Sequence, residues 1–503
     1  MDNYPLLKKG LVVGIILLFV GTGIIPSSAQ DIEKPSFPTS TGKTIYVDDD
    51  NILGPWDGTL QHPYQQIQDA ANVLKRGDTI YVYNGTYHVN VLRINHTSSI
   101  KLLGEDKNTT IIIGKIWFEH AHGLTISGFT WKTLTLSQPD CLTLGHSTNC
   151  TISGNIFEPV NFGMELAYLF NCNVSSNTFE LYGLTNPLAI AIGLSTQVIM
   201  NDNKFLGDPS SDPLLGQGIQ MGVAPRNTIS RNLFMNLESA IQMGSGIPLT
   251  RHNLISNNTI INTPVGIAVG SFSAHNIIKG NIINTSWDGI VLYDQATRNL
   301  IYQNKISHCL EGGIIGYWAY ANDILANTIS DNKIGIMLGG PGGELRCFFN
   351  RIAFNNIVRS EYWNVIDFNG INLWYNLKSG KGNYWDNYTG IDANGDGVGD
   401  TPYNIPGCRN KDRYPLMEPV DINNVTGIGD VFHEYADDGN DDMATYSMLL
   451  SFGSLGVFNS LYQHHQYSET NRNSDLLNKI NYFFLGIEKL WKGESNESLK
   501  ICF

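Results

Sequence analysis

One short pattern, Asn-x-Ile or Asn-x-Phe, returns at a nearly constant interval along the middle of the chain. It occurs as Asn155-Ile-Phe157, Asn177-Thr-Phe179, Asn203-Lys-Phe205, Asn232-Leu-Phe234, Asn258-Thr-Ile260, Asn281-Ile-Ile283, Asn304-Lys-Ile306, Asn327-Thr-Ile329 and Asn355-Asn-Ile357. The steps are 22, 26, 29, 26, 23, 23, 23 and 28 residues, the period of a solenoid in which each copy is one turn of chain. Three residues before the Asn stands an aliphatic residue or Met: Ile152, Val174, Met200, Ile229, Ile255, Ile278, Ile301 and Ile324. Further on, a second strand opens in Ala240-Ile-Gln-Met243, Gly266-Ile-Ala-Val269, Gly289-Ile-Val-Leu292 and Gly335-Ile-Met-Leu338. Short β-branched runs of period two, divided by Gly and Asn turns, leave no room for a helix in each repeat. The expected fold is all-β, a single-stranded right-handed parallel β-helix solenoid whose coils stack at about 4.8 Å. The competing solenoid, a leucine-rich repeat, needs a Leu-x-x-Leu-x-Leu frame that is missing.

Stacking turns repeat positions into columns. Phe157, Phe179, Phe205 and Phe234 should pass into Ile260, Ile283, Ile306 and Ile329 as core. Asn227, Asn253, Asn276, Asn299 and Asn322, five residues before the repeat Asn, form a second column whose amides can bond one another. Cys150 and Cys172 share that second position one coil apart, either as a disulfide or as two buried thiols. Seven cysteines in 503 residues do not make a disulfide-built scaffold.

Charged residues are 16% of the chain, against about 25% in an average globular protein. The formal charge of −14 and the lack of a basic block argue against a nucleic-acid partner. Residues 1–29 read as a signal peptide. Lys8-Lys9 precede the apolar run 11–25, and Ser27 and Ala29 occupy the small positions of a cleavage site; the alternative is an uncleaved anchor. The further divisions are a linker at 30–43, an N-terminal cap and first coils at 44–140, repeated coils at 141–380, a closing segment at 381–420, and an acidic linker with a helical tail at 421–503. Ile67, Ala70, Ala71 and Leu74 predict an amphipathic capping helix within 63–75. Thr79-Ile-Tyr-Val82, Ser99-Ile-Lys-Leu-Leu103 and Thr110-Ile-Ile-Ile113 are expected as the strands of the first coil.

The run Gly77-Asp-Thr-Ile-Tyr-Val-Tyr-Asn-Gly-Thr-Tyr87, the Leu124-Thr-Ile-Ser-Gly-Phe-Thr130 coil and the Asn-x-Ile array resemble secreted β-helix proteins of the NosD-like group, which share the pectin-lyase-like fold. Gly382-Asn-Tyr-Trp385-Asp386, the loop at 392–400 and Asp412-Arg-Tyr-Pro-Leu416 are similar to the segment closing many archaeal NosD-like surface proteins. The resemblance spans roughly residues 43–420 and implies an exported carbohydrate-associated or copper-delivery accessory protein.

Three groups of residues could carry chemistry. Asp392, Asn394, Asp396, Val398 (through its carbonyl) and Asp400 have the spacing of a calcium loop, with Gly397 at the sharp turn. Tyr403 stands where a bidentate Glu is usual, so Asp386 or Asp412 would have to supply a carboxylate. The expected role is a structural staple. Arg226, His252, His275 and Arg298, six residues before the repeat Asn, should line one edge about 5 Å apart, either as solvated turn residues or as a cationic stripe for acidic sugars. His252 and His275 could instead ligate copper, although the flanking arginines would repel a cation. Asp288 and Glu311 each lie seven residues after their Asn and are expected to stack, which would raise one pKa. Asp294 lies in the same coils, and Trp287, Tyr293, Tyr317 and Trp318 offer sugar-stacking faces. Local signatures of pectinolytic enzymes are absent.

The leading expectation is therefore a secreted or cell-surface monomer, on the periplasmic side of the envelope, that binds a polysaccharide or cell-envelope glycan without catalysis. Membrane association is expected only if the signal or the tail is retained. The alternatives are a polysaccharide lyase or hydrolase acting through Asp288, Glu311 or Asp294, and a copper-delivery factor.

Overall fold

The computed structural model describes residues 42–425 apart from 134–139, 159, 183–186, 211–213, 245–249, 285–286, 341–344 and 369–370. The expected export segment and the helical tail lie outside the described residues. Each coil of the repeat contributes three strands. In the coil of Asn258 these are Leu254–Ser256, Thr259–Ile261 and Val265–Val269. The first strand of every coil joins a 14-stranded parallel sheet that runs in chain order from Thr44–Val47 to Ile371–Leu373.

The other two faces form one 23-stranded sheet. They are continuous because Gly85–Asn95 and Thr110–Glu119 run unbroken around the corner, the latter pairing with both Thr130–Lys132 and Asp140–Gly145. The bend is made at Gly114, whose φ is 123°. A Cβ at this position of Thr110–Glu119 would collide with the Val89 carbonyl, so the bend there requires glycine.

The expected core column is present and longer than the repeat. Phe157, Phe179, Phe205 and Phe234 stack face to face at 4.7, 5.0 and 4.6 Å between ring centres. The column passes through Ile260, Ile283, Ile306, Ile329 and Ile357 to Trp385.

Both Asn columns are buried hydrogen-bonded ladders, and they occupy the two corners that flank the 14-stranded sheet. At Asn281 the backbone N–H and Nδ2 both donate to Asn304 Oδ1, at 2.9 and 3.0 Å, while Nδ2 also donates to the Ile255 carbonyl at 3.0 Å. The second ladder continues beyond Asn322 to Asn350 and Asn372. Cys150 and Cys172 fill its early positions as free, buried thiols, the Cys150 N–H donating to Cys172 Sγ at 3.4 Å.

Two details differ from expectation. The N-terminal helix covers only Ile67–Asn72, because the chain must turn at Gly77 to enter Thr79–Val82; Leu74 still packs on the core from outside the helix. Thr79–Val82 and Lys101–Gly104 pair in parallel, so they belong to successive coils and not to one. At the other end Tyr403 lies on Trp385, 4.3 Å between centres and 4° from coplanar. Val420 and Ile422 then fold back over Leu300, Tyr302 and Leu325 on the outside of the 14-stranded sheet. Among the described residues no helix is long and apolar enough to cross a membrane.

Candidate functional site

Asp288 opens the strand Asp288–Leu292 and stands between Val265 of the preceding coil and Gly312 of the next. Glu311 is therefore one residue out of the expected register. Its N–H donates to the Trp287 carbonyl at 3.0 Å, so the acid sits over Trp287. The coil of Asn304 carries one more residue in the turn at Cys309-Leu310, which counting from the Asn does not reveal.

Even so, Glu311 is close enough for its charge to act on Asp288. Burial pushes Asp288 up to about 6, with the Glu311 charge adding to the rise and a hydrogen bond from the Gly312 backbone opposing it. Asp288 Oδ1 is buried and has no hydrogen-bond partner among the described residues. The Tyr317 phenol is pushed up to about 12, mainly by burial, with the charges of Glu311 and Asp288 adding to it. Beside this group the Trp287 indole is 58% exposed and Leu310 62% exposed, an apolar surface next to the half-buried Asp288 and the exposed Glu311.

The remaining site candidates fall elsewhere. Asp294 lies past the far end of its strand, about 20 Å from Asp288 at roughly 3.3 Å per residue, and accepts a hydrogen bond from Ser271 Oγ at 3.2 Å. Tyr293 lays its ring across Gly270, where a Cβ would have no room. Trp318, 44% exposed, is in the same turn region as Asp294. Arg226, His252, His275 and Arg298 do form a vertical column, at the corner leading into the 14-stranded sheet. All four have left-handed φ (57, 56, 55 and 50°), and the His252 and His275 rings stack at 5.3 Å. The expected single groove is thus two edges of one face.

The 392–400 loop is tightly folded on its own acids. Asp392 Oδ1 accepts the Gly395 N–H at 2.7 Å and Oδ2 the Gly397 N–H at 2.8 Å; Asp396 Oδ1 accepts the Val398 N–H and Asp400 Oδ2 the Ala393 N–H. Carboxylate oxygens so engaged keep lone pairs that a hard cation can use. Asp386 and Asp412 are committed elsewhere, Asp386 to the Arg359 N–H and Asn364 Nδ2, Asp412 to the end of an Asn ladder.

A further cluster escaped the sequence reading. His96, His120 and His146 follow one another at steps of 24 and 26 residues, the repeat period, but precede the first Asn-x-Phe. The His96 and His120 rings stack at 4.8 Å, and the His146 ring lies 5.1 Å from His120, tilted by 32°. Glu119, His120 and His146 bring one ligand atom each to within 4.8 Å of one another.

Residues 242–390 match the family model described as periplasmic copper-binding protein (NosD), and residues 114–283 match that of the right-handed beta helix region. Among curated protein sequences none matches the chain. Similar solved structures include a mannuronic acid specific polysaccharide family 6 lyase from human gut microbiota, 13% identical, covering 68% of this chain and 86% of that one at a TM-score of 0.47. A tailspike protein mutant of E. coli bacteriophage HK620 in complex with pentasaccharide is 13% identical, covering 63% and 67% at 0.48. The PL6 family alginate lyase AlyGC is 13% identical, covering 71% and 56% at 0.44. At these identities and scores nothing about activity follows. The repeat and the parallel coils make this chain a right-handed parallel β-helix protein, similar over residues 242–390 to the NosD family.

Proposed function

We propose that the protein works outside the cytoplasm and binds a polysaccharide or cell-envelope glycan at the edge formed by Trp287, Asp288, Glu311 and Tyr317. The observation that carries this reading is the buried Asp288 oxygen without a hydrogen-bond partner among the described residues, next to an exposed indole. A buried acceptor left unsatisfied costs about 1–3 kcal/mol, and a sugar hydroxyl donating to it would remove that cost while the sugar ring stacks on Trp287. The matched family's description as periplasmic supports the location.

A lyase or hydrolase is the second reading, favoured because burial raises Asp288 to about 6 beside a second carboxyl group, Glu311, and general acid–base work on a glycosidic bond uses a raised carboxyl with a neighbouring one. Asp294 is too distant to share in it. One experiment addresses both. Wild-type protein, Trp287→Ala and Asp288→Asn are put on a glycan array and incubated with uronate polymers. Binding should weaken at least tenfold in Trp287→Ala with no polymer shortened. Product release by wild type that Asp288→Asn abolishes would replace binding with catalysis, and equal binding by all three proteins would sink the site.

Copper delivery, carried by the family description, would need His252 and His275 as ligands, but they stand between Arg226 and Arg298, which oppose a cation. A calcium ion on the 392–400 loop, with Asp392, Asn394, Asp396, the Val398 carbonyl and Asp400 as ligands, is proposed as structural.

A further inference from the structure

We propose that Glu119, His120 and His146 form a binding site for a divalent transition-metal ion of the zinc type, with His96 as a neighbouring fourth donor. The site lies in the N-terminal coils, far along the solenoid from Asp288 and independent of the glycan reading.

Its construction follows from the coil. The third-face strands end in turn at Asn95, Glu119 and Gly145, which are register partners. Each chain leaves the strand through a histidine in left-handed conformation, with φ of 53° at His96, 54° at His120 and 45° at His146. Each of these backbone N–H groups donates to a carbonyl of the next coil: His96 to Glu119 at 2.9 Å, His120 to Gly145 at 3.1 Å, His146 to Ala167 at 3.0 Å. The rings must therefore rise in a stack at coil spacing. Histidine tolerates this backbone region, yet the turn does not demand it, since Tyr168 and Leu194 take the next two places with φ of 57° and 50°. Tyr168 closes the stack, 4.2 Å from His146.

The carboxylate is already positioned. Trp117 Nε1–H donates to Glu119 Oε2 at 2.7 Å, and Glu119 Oε1 lies 2.5 Å from His146 Nδ1. Arg93 and Lys115 are both engaged by the Trp117 ring. Gly145 leaves the space the acid occupies, because a Cβ there would lie 2.4 Å from Oε2. Zinc–nitrogen bonds of about 2.05 Å in a tetrahedron place donors about 3.4 Å apart. The donor atoms of Glu119, His120 and His146 are within 4.8 Å, and both imidazoles are exposed, so small side-chain rotations close the set. Two imidazoles and one carboxylate suit zinc, nickel or copper(II) better than calcium or magnesium.

The full-length protein, stripped of metal, would be titrated with zinc by calorimetry and with cobalt(II) by absorbance. One ion per chain is expected, with the visible bands of tetrahedral cobalt. His120→Ala and His146→Ala should each weaken zinc at least tenfold, Gly145→Ala should weaken it by displacing Glu119, and His252→Ala should leave it unchanged. Metal-free melting temperatures of the His variants, equal to wild type, would show that the fold survives. Zinc binding of undiminished affinity in the His120→Ala/His146→Ala double variant, or none in wild type, overturns the proposal.

Discussion

Asp412 and Asp367 are fully buried, a costly position for a carboxylate unless donors surround it. Their places explain the cost. In each Asn ladder every Oδ1 accepts from the previous coil, so the last Asn is left with donors and needs an acceptor that brings no further donors. An ionised carboxylate is acceptor-only. Asn383, ending one ladder, gives its N–H to Asp412 Oδ2 at 2.7 Å, and Trp385 Nε1 donates to the same oxygen at 3.0 Å. Asn372, ending the other, donates to Asp367 Oδ2 at 3.1 Å, joined by Trp374 Nε1 at 3.3 Å. Burial nevertheless outweighs the donors at Asp412 and raises it to about 6 from 3.8. A folded pKa above the unfolded one means that this group's stabilisation is complete below about pH 3.8 and is lost as pH rises through about 6. The loss is on the order of 3 kcal/mol. Thermal melts from pH 4 to 7 should therefore show a steeper decline for wild type than for Asp412→Asn, and parallel curves would refute the assignment. Neither terminator was legible from the repeat, because both stand outside its frame.

At the level of strands and ladders the text was far more transparent. The Phe-to-Ile column and the second Asn column both appear where the spacing put them. A position counted from the repeat Asn can be trusted only while the turn lengths agree, which is why Asp288 and Glu311 slipped by one. The histidine stack was missed for a related reason, as its coils lack the Asn-x-Phe marker that anchored the count. The ladder itself predicts a sharp penalty. Asn281→Ala would remove the acceptor of the buried Asn258 N–H and Nδ2, which lie 2.9 and 3.0 Å from Asn281 Oδ1, and would also take the Nδ2 donor from the Ile255 carbonyl and from Asn304 Oδ1, which keeps only the backbone N–H of residue 281. Losing several buried partners at about 1–3 kcal/mol each should lower the melting temperature far more than Thr259→Ala on the neighbouring half-exposed position. Comparable melting of the two variants would mean that the amides contribute little.

A solenoid has no single centre; each coil is held by its two neighbours, so stability is weakest where a neighbour is missing. The C-terminal end, where Tyr384–Trp385 would otherwise present an open strand edge and a bare indole, is covered by Tyr403 and by Leu416, which bridges to both Tyr384 and Val398. The 392–400 loop is sewn into that cover, since the Gly399 N–H donates to the Pro415 carbonyl and the Asp400 N–H to Ile391, both at 2.8 Å. An ion bound there would thus hold the lid of the whole stack and not merely one loop. At 100 times its dissociation constant, a ligand specific for the folded form adds about 2.7 kcal/mol. Calcium should accordingly raise the melting temperature and slow proteolytic cleavage between residues 392 and 416, EDTA should reverse both, and Asp396→Ala should abolish the response without changing zinc binding at the opposite end. If calcium and EDTA give superimposable melts and cleavage patterns, the lid is held by Tyr403, Leu416 and the buried Asp412 alone.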